Sequence, residues 1–115
     1  MRFVRLLDCQ EWRDGGSYSA SFSTDHGEPF SLWLHCVRDP APEEPWYTTL
    51  VAFEGPGPFP GPGSSSISKG SDEERHVFQL IDEFLAATLD DSLDSDAQSL
   101  QRLRTMRHCM ARRGQ

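Results

Sequence analysis

The 115-residue chain holds 18 acidic residues against 11 lysines and arginines, and its formal net charge at pH 7 is −7. A charge of this sign repels a phosphate backbone, so the composition argues against nucleic acid as a partner. The length suits a single domain spanning residues 1–115, and no apolar run approaches the roughly 18 residues that a membrane span needs.

The first half of the chain predicts four strands. Residues 3–7 form a short apolar run, and residues 18–22 alternate apolar side chains with serine. Residues 30–37 run back after a turn, and residues 46–53 are rich in aromatic and β-branched side chains. Because the links between these runs are short, we expect a four-stranded antiparallel meander within residues 1–54. The alternation on the third strand places Phe30, Leu32, Leu34 and Cys36 on one face and Ser31, Trp33, His35 and Val37 on the other.

Residues 55–70 are rich in proline, glycine and serine and predict a loop between the sheet and the helices. Alternate prolines lack the N–H group that a sheet ladder requires. A solvated connector is the expected role of this segment. The alternative is a polyproline-type recognition segment with Phe59 as its anchor, although no P-x-x-P spacing occurs in it.

The second half predicts two helices, over residues 71–89 and 94–112. The first opens with a capping box, in which Ser71 accepts a hydrogen bond from the N–H of Glu74 and the Glu74 side chain reaches back. Apolar side chains then recur at spacings of three and four, forming a stripe of Val77, Phe78, Ile81, Phe84, Leu85 and Leu89. The stripe of the second helix comprises Ala97, Leu100, Leu103, Met106 and Met110. We expect both helices to pack on one face of the sheet, which completes an α+β fold.

No arrangement of residues in the sequence points to catalysis, a cofactor or a metal. Adjacent residues on a strand point to opposite faces, so the imidazole of His35 cannot activate the thiol of Cys36. The aspartate-rich residues 90–96 superficially evoke a calcium loop, but the glycine at its sixth position and the glutamate at its twelfth are missing. The three cysteines show neither disulfide nor zinc spacing, which fits a reducing compartment. We therefore expect a cytoplasmic protein without enzyme activity, cofactor or metal.

Charge is distributed unevenly along the chain. Residues 41–100 contain twelve acidic residues and two basic ones, whereas residues 101–115 contain five arginines and no acid. Pairing of these arginines with the acidic segment is the expected arrangement, and contact with phosphates is the alternative. The acids cluster at residues 43–44, 72–74 and 90–96. The other residues that define the general build of the chain are the aromatic residues Trp33, Trp46 and Tyr47.

In its general build, a small acidic α+β domain with acid clusters and aromatic residues, the chain resembles the bacterial immunity proteins. Proteins of that kind neutralise a cognate toxin, which is often a cationic nuclease. The resemblance implies that acids steer a basic partner and occupy the site of its anionic substrate, while aromatic residues anchor the interface. The residues that it assigns to partner binding are Glu43, Glu44, Trp46, Tyr47, Asp72, Glu73, Asp90, Asp91 and Asp94.

The sequence thus predicts a protein-binding inhibitor of the immunity type, which neutralises a basic toxin or effector by occluding its active site. Two other functions stay open: an interaction protein of another kind, such as a phage-encoded inhibitor or a secretion chaperone, and a small enzyme or ligand-binding domain. A concave, partly apolar pocket with convergent polar groups would favour the enzyme or ligand-binding domain. The identity of the partner, the face that binds it and the oligomeric state are open at this stage.

Overall fold

An antiparallel sheet is followed by two helices in the computed structural model, which describes residues 1–12, 17–36, 47–55, 61–90 and 97–111. The elements are β1 (Phe3–Trp12), β2 (Ser17–Thr24), β3 (Phe30–Cys36), β4 (Tyr47–Glu54), β5 (Ser65–Ser66), α1 (Asp72–Asp90) and α2 (Ala97–Ala111). The strands lie in the sheet in the order in which they occur along the chain, and each pairs antiparallel with the next. The α+β fold and the antiparallel meander that the sequence predicts are therefore confirmed.

The sheet has five strands, not four. The fifth strand, Ser65–Ser66, falls inside the segment that the sequence predicts to be a loop, and it pairs with Val51 and Ala52 of β4. Proline is the reason for predicting a loop, but residues 63–70 contain none, so their N–H groups are available to a ladder. The buried residue Ile67 extends this attachment, because its N–H donates to the carbonyl of Leu50 at 2.8 Å.

Strand β1 is longer than predicted and carries two β-bulges. From Phe3 to Arg5, and again from Leu6 to Asp8, β1 advances by two residues while its partner β2 advances by one. Val4 and Leu7 are the extra residues, and they are 55% and 45% exposed. A bulge resets the alternation of side chains. Every third residue of β1 therefore faces the core, namely Phe3, Leu6 and Cys9.

The hydrophobic core lies between the sheet and the helices. The sheet contributes Phe22, Leu32, Leu34 and Leu50, as the predicted alternation on β3 requires. Helix α1 contributes the predicted residues Val77, Ile81 and Phe84, with Phe78 and Leu85 half-buried beside them, and also Leu80, which the predicted stripe omits. Helix α2 contributes Leu100, Leu103, Met106 and Met110, whereas Ala97 is exposed. Both helices thus pack against the sheet through their apolar stripes, as the spacing predicts.

The start of α1 is fixed by a capping box of slightly altered form. The N–H of Glu74 donates to the hydroxyl oxygen of Ser71 at 3.1 Å, as predicted. The carboxylate of Glu74 accepts its hydrogen bond from the N–H of Gly70 at 2.9 Å, one residue before Ser71. Gly70 has a φ of 76°, a conformation that glycine adopts without strain. The cap leaves the Glu74 side chain 5% exposed, so one of the predicted acids of this region is a buried structural group.

Candidate functional site

The structure describes the side chains of two of the predicted partner-binding residues. Asp72 and Glu73 lie in the first turn of α1, where both are exposed. Tyr47 begins β4 and Asp90 ends α1, and the side chains of these two residues are not described. The remaining predicted residues lie outside the described part of the chain: Glu43, Glu44, Trp46, Asp91 and Asp94.

Part of the acidity of α1 is neutralised within the molecule. The carboxylate of Asp72 pairs with Arg75, one turn further along the helix. Arg107 of α2 donates to both carboxylate oxygens of Asp82, from Nε at 2.8 Å and from Nη2 at 2.9 Å. The predicted pairing of the C-terminal arginines with the acidic segment is confirmed at Asp82. Because such a two-point contact fixes both side chains, it also fixes the position of α1 relative to α2.

The Arg107 side chain is held on a second side by an aromatic ring. Its guanidinium carbon lies 4.5 Å from the centroid of Phe78, a cation–π distance. Its Nη1 atom is buried and has no hydrogen-bond partner among the described residues. A second arginine of α2, Arg102, donates to the carbonyl of Cys9 at 3.3 Å and links the helix to β1. The positions of Arg102 and Arg107 therefore indicate a role in the packing of α2 and not in contact with phosphates.

A cleft of about 600 Å³ lies between α1 and the β4–β5 edge of the sheet. Its apolar lining includes Phe30, Ala52, Val77 and Leu80. Its polar lining includes Glu54 at the end of β4 together with Glu73 and His76 on the first two turns of α1, and all three are exposed. The full lining is Met1, Phe30, Ala52, Phe53, Glu54, Pro62, Gly63, Ser65, Ile67, Glu73, His76, Val77 and Leu80. The arrangement is thus an apolar floor with an acidic rim, and we call it the α1 cleft.

A second, smaller cleft of about 270 Å³ continues along α1 towards the start of β1. It shares Leu80 with the α1 cleft and is bordered by Phe84, Glu83 and Arg2. The carboxylate of Glu83 accepts a hydrogen bond from Gln79 at 3.0 Å, a neutral partner that leaves the negative charge in place. Glu73 and Glu83, about three helical turns apart, are thus the acids that α1 contributes to the two clefts.

The acids of the α1 cleft carry uncompensated charge. Within the part of the chain that the structure describes, Glu54 and Glu73 form no ion pair, and no lysine or arginine lines the α1 cleft. Glu73 lies in the first turn of α1, where a negative charge interacts favourably with the helix dipole. Glu73 is among the partner-binding residues predicted from the sequence, whereas Glu54 is not, because its relevance depends on the strand register that brings β4 next to β5 and α1. Only the tertiary structure brings these two acids to one cleft.

The structure also brings together a serine and a histidine that the sequence analysis does not pair. Ser17 and His35 are opposite each other on β2 and β3, and the Ser17 Oγ lies 3.0 Å from the His35 Nδ1. A nucleophile and its base need this contact, together with a group that orients the base and donors for an oxyanion. No described carboxylate contacts His35, and neither residue lines the α1 cleft or its smaller neighbour. Among the described residues, the contact is therefore one element of a catalytic site without a carboxylate to orient the base.

The cysteine of β1 is a core residue. Cys9 is fully buried, and this burial, with a smaller effect of Asp8, raises the pKa of its thiol from 9.0 to about 12. A thiol is nucleophilic in its deprotonated form, so Cys9 is inert at neutral pH. Cys9 and Cys109 are not in disulfides, as expected, and the side chain of Cys36 lies outside the description.

No group of three or more His, Cys, Asp or Glu side chains among the described residues is placed to hold a metal ion. No described helix has the length and apolar character to cross a membrane.

Comparison with protein-family models, with curated proteins and with solved structures finds no significant match to this chain.

Proposed function

We propose that this protein binds another protein, as an inhibitor of the immunity type that neutralises a basic toxin or effector by occluding its active site. The observation that carries the proposal is the α1 cleft, an apolar floor whose rim bears Glu54 and Glu73, neither of which has an ion-pair partner among the described residues. Its smaller neighbour contains one acid and one base, Glu83 and Arg2, beside the apolar Leu80 and Phe84. Such a surface combines the two properties that protein recognition uses, apolar area to desolvate and charge to select the partner.

The charge of the chain favours a basic partner over an acidic one. A net charge of −7 accelerates association with a cation and slows association with an anion. A toxin that acts on an anionic substrate has a basic active site, and a carboxylate at the α1 cleft can occupy the place of the substrate's negative charge. The inhibitor then needs no catalytic residues of its own. Among the described residues no carboxylate orients the base of the Ser17–His35 contact, so this contact by itself does not favour an enzyme over the proposed function.

The proposal is tested by the kinetics of association with the product of the neighbouring gene, since toxins and their inhibitors are encoded together. We expect an association rate that falls about tenfold or more between 50 and 500 mM salt and a dissociation rate that changes little. Glu73→Gln should lower the association rate at low salt. Glu28→Gln, which removes an exposed acid from the β2–β3 turn, is the matched control.

Two results of this experiment would contradict the proposal. If the neighbouring protein does not bind, or if it binds at a rate indifferent to salt and to the Glu73 substitution, the acidity of this surface is a matter of solubility alone.

A ligand-binding domain is the second candidate, and the size of the α1 cleft favours it. Small-molecule sites typically enclose about 300–1,000 Å³, and the α1 cleft has a volume of about 600 Å³. Ligand sites also present polar groups that converge on the ligand, whereas Glu54, Glu73 and His76 are exposed at the rim. Saturable binding of a small cation or amine, detected by a rise in the melting temperature, would favour this candidate.

A further inference from the structure

We infer that the α1 cleft receives a short basic segment of the partner protein, in which a lysine or arginine side chain is flanked by apolar residues. The inference rests on the proposed function and names the site and the chemistry through which the partner is recognised.

The floor of the cleft determines the apolar part of this segment. Phe30, Ala52 and Leu80 come from β3, β4 and α1, so three elements of the fold supply a continuous apolar surface. Phe30 and Ala52 are half-buried, although both pack against the core. Apolar area that remains partly exposed in the free protein is the area whose burial drives association. An aliphatic side chain, or the methylene stem of lysine or arginine, suits this floor.

The rim determines the charged part. Glu54 and Glu73 lie on opposite walls of the cleft, one at the end of β4 and the other in the first turn of α1. Lysine and arginine place their stems along apolar surface and keep their charged ends at the water boundary. Their geometry therefore matches an apolar floor beneath an acidic rim. An acidic segment would meet two uncompensated carboxylates, and a neutral apolar segment would leave both without a partner.

The size of the cleft limits the occupant to a few residues. A volume of about 600 Å³ accommodates a small number of side chains. The neighbouring cleft shares Leu80 and contains both Glu83 and Arg2, so it provides a place for an uncharged residue of the segment along α1.

The test uses nuclear magnetic resonance titration of the full chain with blocked synthetic peptides. The probe is Leu-Arg-Leu-Lys-Leu, and its control is Leu-Glu-Leu-Glu-Leu. We expect the basic peptide alone to bind, and we expect the amide shifts to concentrate at residues 52–54, 65–67 and 73–80. Equal binding of the two peptides, or shifts spread over the sheet and α2, would overturn the inference. Binding of free arginine amide as tight as that of the basic peptide would also overturn it, because the site would then suit a small ligand.

Two matched pairs of variants locate the site. Ser65 and Ser66 are adjacent and exposed on β5, but only Ser65 lines the cleft. Ser65→Trp should fill the cleft and weaken peptide binding about tenfold or more, whereas Ser66→Trp, on the opposite face of the strand, should leave it unchanged. Glu73→Gln should weaken binding about two- to fivefold, and Glu28→Gln should not. Equal effects within either pair would overturn the assignment to the cleft.

The same variants separate this inference from the proposed function. If the neighbouring protein binds with a steep salt dependence but Ser65→Trp leaves its affinity unchanged, the partner uses another surface and the inference alone fails. If the basic peptide binds in the cleft while the neighbouring protein does not bind at all, the inference holds for a partner of a different kind and the immunity function fails.

Discussion

Replacing Phe84 with alanine tests how α1 is docked on the sheet. The Phe84 side chain is 4% exposed, and its ring lies edge-on to that of Phe22, with centroids 5.6 Å apart and planes 76° apart. Loss of the apolar contact alone costs about 1.5–3 kcal/mol, and the cavity left between helix and sheet raises the expected loss to about 3–5 kcal/mol. A domain of this size has a free energy of unfolding of about 5–15 kcal/mol, so the variant should retain a measurable transition.

The measurement is urea unfolding at equilibrium, followed by tryptophan fluorescence and by circular dichroism. Phe84→Leu should lose less, about 1–2 kcal/mol, because it retains more of the side-chain volume. Val4→Ala is the control for a truncation outside the core, since Val4 is 55% exposed, and it should change stability by less than about 1 kcal/mol. A loss below about 1 kcal/mol for Phe84→Ala, with an unchanged denaturant slope, would refute the packing described here.

Three further outcomes follow from particular contacts. A double-mutant cycle with Asp82→Ala and Arg107→Ala should give a coupling energy of about 0.5–1.5 kcal/mol in urea unfolding, a value limited by the exposure of Asp82. A coupling energy near zero would contradict the link between the helices. Burial raises the pKa of the Cys9 thiol to about 12, so Cys9 should resist alkylation at about pH 8 in the native protein and react once urea unfolds the chain. An equally fast reaction in both states would contradict the burial of Cys9. A hydrogen bond from the backbone N–H of Arg2 lowers the pKa of Asp25 below 3.8, so this carboxylate stabilises the fold at neutral pH and the contribution is lost as the pH falls through the lowered pKa. The stability difference between the wild type and Asp25→Asn should therefore shrink below about pH 4, and a difference independent of pH would exclude this role.

Local periodicity predicted the elements whose residues repeat regularly. The stripe of α1 and the alternation that places Leu32 and Leu34 in the core depend on spacings of three or four and of two, which are properties of a single helix or strand. The cap at Ser71 is equally local, because its partner is three residues away. Sequence reasoning is strongest where a residue's partner is close along the chain.

The features that were missed depend on contacts between distant segments. Strand β5 contains two serines, which carry no strand signal, and it forms because β4 offers an edge for pairing. The bulges of β1 depend on its register with β2, and the contact between Ser17 and His35 depends on the register of β2 with β3. The acidic cleft needs both the β5 attachment and the docking of α1, so no spacing in the sequence could have revealed that Glu54 and Glu73 share it.

The two ends of the sheet differ from its middle in a way that bears on assembly. In the described sheet, β1 forms one edge and β5, of two residues, forms the other. An incoming strand requires a regular row of donors and acceptors, which the bulges of β1 interrupt and which the short β5 hardly provides. The β1 edge therefore offers neighbouring molecules little to join, which discourages continuous growth of the sheet from that side. The partner recognition that we propose for this chain relies on side chains instead, whose chemistry a partner can read selectively.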